Sequence, residues 1–293
     1  MKSIQIFSTV AGYLWRILVC AFVYAAGLIT SRIVFNALGV FPTRMPEQTD
    51  EATAIYYLLI GSVVLSIGLI LVARQIRGSL QLRWLILGVF LFVIFGVNNP
   101  IESAIFTTTE GALLMIPLLL LPCMLLAGAA AYLFKPEYES GTHPADVSQF
   151  FSGRTFGQWS WRCMASVAAF PMVYFAFGIL VAPIVAEYYR QGLANLVLPD
   201  AGVILSVQFA RGFLYLLASI PVLVFWSGTR TQLIIRLGFA FFVLAVIFDV
   251  VLAYELPIAL RITHSIELLV DSLVYTFLLV KLLVQKNALK PQS

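Results

Sequence analysis

The chain is 293 residues long, 61% hydrophobic and 11% charged, with a mean hydropathy of +0.97. These values exclude a soluble domain and imply a polytopic membrane protein whose first partner is the lipid bilayer. The net charge of +4 is explained by topology and does not point to nucleic acid.

From the N-terminus, the apolar run Val10–Ile29 is too long for a signal-peptide core and is closed by Arg32 and Asn36, so it reads as a retained first span. Eight segments reach spanning length, at about 10–33, 54–73, 84–107, 112–134, 163–188, 204–226, 237–257 and 262–284. Cys20, Cys123 and Cys163 sit in or beside apolar runs and read as core residues. There is no Cys-x-x-Cys or Gly-rich phosphate loop, and the presence of only His143 and His264 argues against a multi-His metal site.

Orientation follows from the basic residues. Lys2, Arg16, Arg74, Arg77, Arg83, Lys135, Arg154, Arg162, Arg230, Arg236, Lys281, Lys286 and Lys290 fall on one side of the predicted spans. The positive-inside rule makes that side cytoplasmic, with both termini inside, as in a multi-pass protein of the cell (inner or plasma) membrane. The loop 135–162 is rich in Gly, Ser and aromatics, which suits either a linker or an interfacial anchor.

The segments on either side of this loop look related. A gapless overlay of 54–107 on 207–260, a spacing of 153, pairs Ser66 with Ser219, Arg77 with Arg230, Arg83 with Arg236 and Glu102 with Glu255. The expected fold is an all-α integral membrane protein with eight transmembrane helices in a tandem parallel 4+4 repeat. Residues 1–134 form the first four-helix unit, 135–162 the cytoplasmic linker and 163–293 the second unit.

Most of the intramembrane charge falls in the second unit. On a helix of 100° per residue, Arg261, His264, Glu267, Asp271 and Tyr275 share an arc of about 120°. Charges in a spanning helix are costly and face the bundle interior, which makes them candidates for a site. Arg211 and Asp249 lie inside the sixth and seventh spans, and the first unit adds Asn98, Asn99 and Glu102. Asn98-Asn99-Pro100 is expected to kink or unwind the third span. Arg211 is expected to pair with Asp249, Glu255, Glu267 or Asp271. Together these residues predict an ionisable pocket open to the outside, walled by spans 3, 6, 7 and 8.

Three functions suit such a pocket. The first is binding or transport of a small solute or ion, coupled to protons through the carboxyls, with Arg211, Asp249, Arg261, His264, Glu267, Asp271, Tyr275, Asn98 and Asn99 as binding candidates. The second is an intramembrane hydrolase, in which His264 and Glu267 work with Glu102 and Glu255, with or without a divalent metal held by His264, Glu267 and Glu255. The third is a non-catalytic assembly or partner subunit.

Overall fold

A computed structural model describes residues 2–40, 51–137, 144–252 and 256–285. Among these the chain is helical without strands: α1 (Lys2–Ala37), α2 (Glu51–Ala73), α3 (Leu80–Leu91), α4 (Asn98–Phe106), α5 (Met115–Leu133), α6 (Pro144–Phe151), α7 (Phe156–Arg190), α8 (Ala201–Val224), α9 (Arg230–Phe242), α10 (Phe248–Leu252) and α11 (Ile258–Leu283). Seven helical stretches are long and apolar enough to cross a membrane. The remaining long helix, α11, has 26 residues, about 39 Å at 1.5 Å per residue against a hydrocarbon core of about 30 Å. Its ionisable stripe is what lowers its apolarity.

Two helices begin earlier than hydropathy suggests. Thr155 and Thr229 accept from the backbone N–H of Gln158 and Gln232, whose side chains reach back to the threonine N–H. Each capping box satisfies donors that the first turn otherwise leaves unpaired. Helix therefore starts at Phe156 and Arg230, where the apolar runs start at 163 and 237.

The packing of the two parts corresponds. α1 lies on α2 and α5, and α3 on α5; α7 lies on α8 and α11, and α9 on α11. Between the parts, α2 meets α9 and α3 meets α8. Helix boundaries coincide at a spacing of 150 residues, such as the capping residues Ser79 and Thr229, whereas the sequence overlay runs at 153. Ile76 and Trp226 form an antiparallel bridge, with Arg77 N–H donating to Phe225 O at 3.0 Å and Ser227 N–H to Gln75 O at 2.9 Å. The two bonds exchange under the same 150-residue shift, so a local twofold axis passes between Ile76 and Trp226.

The kink expected at Asn98-Asn99-Pro100 takes the form of a π-helical turn. Phe92–Val97 is π-helical and α4 follows it directly. Widening the turn accommodates Pro100, which has no N–H to offer the preceding turn. A second π segment, Val243–Ile247, separates α9 from α10.

One end of the bundle is basic, and its arginines also terminate helices. Arg83 donates to Ala73 O, Ala131 O and Phe134 O. Arg154, Arg162 and Arg230 donate to Leu283 O, Leu282 O and Val280 O at the end of α11. Helix C-termini leave carbonyls unpaired and carry partial negative charge, so arginines are favoured there. Glu137 ties Arg74 (3.3 Å) to Arg236 (3.7 Å) across the two parts. At the opposite end, Thr108 N–H donates to Asn195 O and Val197 N–H to Phe106 O.

Candidate functional site

The polar residues of α4, α8 and α11 converge below that opposite end. Arg211 is 5% exposed, and its Nη2 lies 2.7 Å from Glu102 Oε2. Its Nε donates to Asn98 Oδ1 at 2.8 Å and its Nη1 to Gln208 Oε1 at 3.3 Å. Among the described residues the carboxylate partner is thus Glu102, and neither Glu267 nor Asp271 pairs with Arg211; the Asp249 side chain and Glu255 lie outside the described residues. The reason lies in the π turn, which sets Asn98 and Glu102, one helical turn apart, against α8. Gly212 completes the arrangement. A Cβ there would lie 2.6 Å from Val167 O and 2.9 Å from Phe170 Cβ, so glycine lets α8 approach α7. Phe170 is thereby set 5.5 Å from the Arg211 guanidinium as a cation–π partner.

Asn98 Nδ2 donates to Asn99 Oδ1 at 3.3 Å, and Asn99 Nδ2 to Leu244 O in the second π segment at 3.4 Å. The asparagines thus link Arg211 to both π segments. Such turns leave backbone groups for side chains to satisfy and occur frequently at functional sites.

On α11, Glu267, Asp271 and Tyr275 are buried in the bundle, and His264 is half-buried. His264 Nδ1 lies 2.7 Å from Glu267 Oε2 and its Nε2 3.2 Å from Tyr189 OH on α7. Tyr189 turns inward while its neighbours Glu187 and Arg190 pair on the exposed surface at 3.6 Å. Asp271 Oδ1 has no hydrogen-bond partner among the described residues. Tyr275 packs on Phe170 and Tyr215 and reaches Gly212 O only at 3.5 Å. Arg261 donates Nε and Nη2 to Val250 O at 3.1 and 2.8 Å, apart from the Arg211 cluster. Asp249 lies on α10, and Glu255 lies outside the described residues.

Two cavities meet at this site. The inner one, of about 40 Å³, is lined by Glu102, Arg211, Asp271, Ser272, Tyr174 and Tyr275. That is room for a few water molecules, at about 10–15 Å³ each. The outer one, of about 540 Å³, carries Asn99, Glu102, Arg261 and His264 among mainly apolar neighbours. Its size lies within the range of small-molecule sites, about 300–1,000 Å³. Glu102, Ala245, Val246 and Leu268 belong to both walls.

The expected walls change in part. The first helix contributes Tyr24 and Leu28 to the outer cavity, and α7 contributes Phe170 and Tyr174 to the inner one. Neither helix was expected to take part, since these aromatic and aliphatic residues carry no charge to single them out. Among the described residues no group of three or more His, Cys, Asp or Glu is placed to hold a metal ion. The candidate ligands His264 and Glu267 come together as a pair, and Glu255 lies outside the described residues. No protein-family model matches the chain, and neither a curated protein nor a solved structure is significantly similar to it.

Proposed function

We propose that the protein binds a small solute in the outer cavity and couples its passage across the cell membrane to protons. The architecture proposed is eight spans in two parallel four-helix units, with α11 as the last span and both termini cytoplasmic. The corresponding helix boundaries, helix pairings and twofold bridge at Ile76 and Trp226 support a duplication. The basic end supports the orientation.

The observation that carries the functional reading is the position of Glu102. Its carboxylate belongs to the wall of the solute-sized cavity and pairs with Arg211, which borders the chamber of Asp271. A solute or proton that changes the charge of Glu102 alters the hold on Arg211, leaving the guanidinium to the unpartnered Asp271 carboxyl. Ligand occupancy and Asp271 protonation are then linked through one cation. The hydrolase reading is weaker, because Glu267 and Tyr189 engage both nitrogens of His264, which leaves neither to activate water in this arrangement.

The test is solute-dependent proton flux in proteoliposomes loaded with a pH-sensitive dye, screened over anionic, neutral and cationic solutes. Asp271→Asn is expected to abolish coupled flux while leaving solute binding in place, and His264→Gln to reduce it less. Full coupled flux in Asp271→Asn would overturn the coupling.

A further inference from the structure

We propose that the outer cavity takes an anionic amphiphile, with its hydrocarbon chain along Leu28, Leu58, Phe95 and Leu119 and its head group at Arg261 and the start of α11. This inference deepens the reading of the outer cavity as the solute site. Three independent features lead to it.

The first is the lining. A hydrophilic solute would leave most of this wall without polar partners, whereas a hydrocarbon chain fits it by area burial. The second is the distribution of charge. Glu102 is neutralised by Arg211 at 2.7 Å and Glu267 is engaged by His264 at 2.7 Å. Arg261 is bound by one backbone carbonyl, and among the described residues no carboxylate pairs with it. Among the described residues it is therefore the cation of the wall that no carboxylate compensates. The third is the helix on which it sits. α11 starts after Pro257 with no side-chain cap and no acidic residue in its first turn. Its N-terminal N–H groups and partial positive charge favour an anion beside Arg261. Arginine also matches the two oxygens of a carboxylate or phosphate in a bidentate contact.

Carboxylate and phosphate heads share this chemistry, whether on a free single-chain amphiphile or on a bilayer lipid. The test uses the full-length protein in nanodiscs of zwitterionic phosphatidylcholine and follows its unfolding temperature. Dodecyl phosphate is expected to raise it saturably, while butyl phosphate and dodecyltrimethylammonium at the same concentration leave it unchanged. Arg261→Gln should weaken dodecyl phosphate by about tenfold or more, the loss expected for a charged contact, and leave it no tighter than dodecanol. Phosphatidic acid added to the nanodisc separates the sources. Stabilisation by it points to a bilayer lipid, and by dodecyl phosphate alone to a free amphiphile; both support the proposal.

Equal stabilisation by butyl phosphate would show a hydrophilic anion site and overturn the proposal, as would equal stabilisation by the ammonium or an unchanged response in Arg261→Gln. The transport reading fails separately. Saturable dodecyl phosphate binding without coupled flux for any solute retires transport and keeps the ligand class. Coupled flux of a hydrophilic solute without amphiphile binding does the reverse.

Discussion

Two helix crossings, 150 residues apart, resolve the same geometry with opposite chemistry. Where α8 passes α4, Arg211 meets Asn98 and Glu102. Where α2 passes α10, the positions are Gly61 and Phe248, and a Cβ on Gly61 would lie 2.6 Å from the Phe248 ring. One crossing is held by charge-assisted hydrogen bonds and borders two cavities. The other is filled by an aromatic ring lying on a glycine, and meets only the outer cavity, through Phe248. The backbone, including a π turn beside each crossing, is alike in both, so the difference lies in the side chains at these positions. A packed apolar crossing stabilises without offering a ligand anything to exchange; a polar one can be re-paired.

The largest effect that separates the two crossings is expected on removing the charge. Arg211→Ala leaves Glu102 without its cation, and breaking a buried pair costs about 3–5 kcal/mol. The exposure of Glu102, 32%, places the loss at the lower end of that range. Thermal unfolding in detergent should show it, and adding Glu102→Gln should recover part. Arg190→Ala, on the exposed surface, should change little. Equal losses at Arg211 and Arg190 would remove the energetic distinction between the crossings.

Asn98→Leu removes the acceptor for Arg211 Nε and should cost about 1.5–3 kcal/mol, the range for a hydrogen bond to a charged group. At the apolar crossing, Gly61→Leu overpacks against Phe248 at about 1–3 kcal/mol. Phe248→Ala in the same chain should relieve much of that loss. Additive effects of the two substitutions would mean that the ring and the glycine do not share one space.

How much of this was legible follows from the range of the signals. The α11 stripe was legible because helical periodicity is local, and it placed His264, Glu267, Asp271 and Tyr275 toward the interior. The site of the first π turn was legible from Asn98-Asn99-Pro100; the second, at Val243–Ile247, has no such residues. The Thr-x-x-Gln boxes at Thr155 and Thr229 were readable as helix starts, yet a hydropathy window discounts the arginines and glutamines just inside them. The partner of Arg211 was not legible. Glu102 lies 109 positions away, and choosing it over nearer carboxyls requires the phase change that the π turn introduces. Tyr189 was obscured by its neighbours, since a tyrosine at a span end has the composition of an interfacial anchor whether it points in or out.

The central claim is that the polar crossing borders a cavity open to the outer face while the stretch of α2 around Ser66 is closed. The measurement is cysteine accessibility in a chain with Cys20, Cys123 and Cys163 replaced by alanine. Ser103 lines the outer cavity, whereas Ser66 is fully buried in α2 and donates to Ser62 O. A charged, membrane-impermeant methanethiosulfonate reagent added outside is expected to modify Ser103→Cys and to leave Ser66→Cys unmodified. Modification of Ser103→Cys only from the cytoplasmic face, or equal modification of both, would contradict the account.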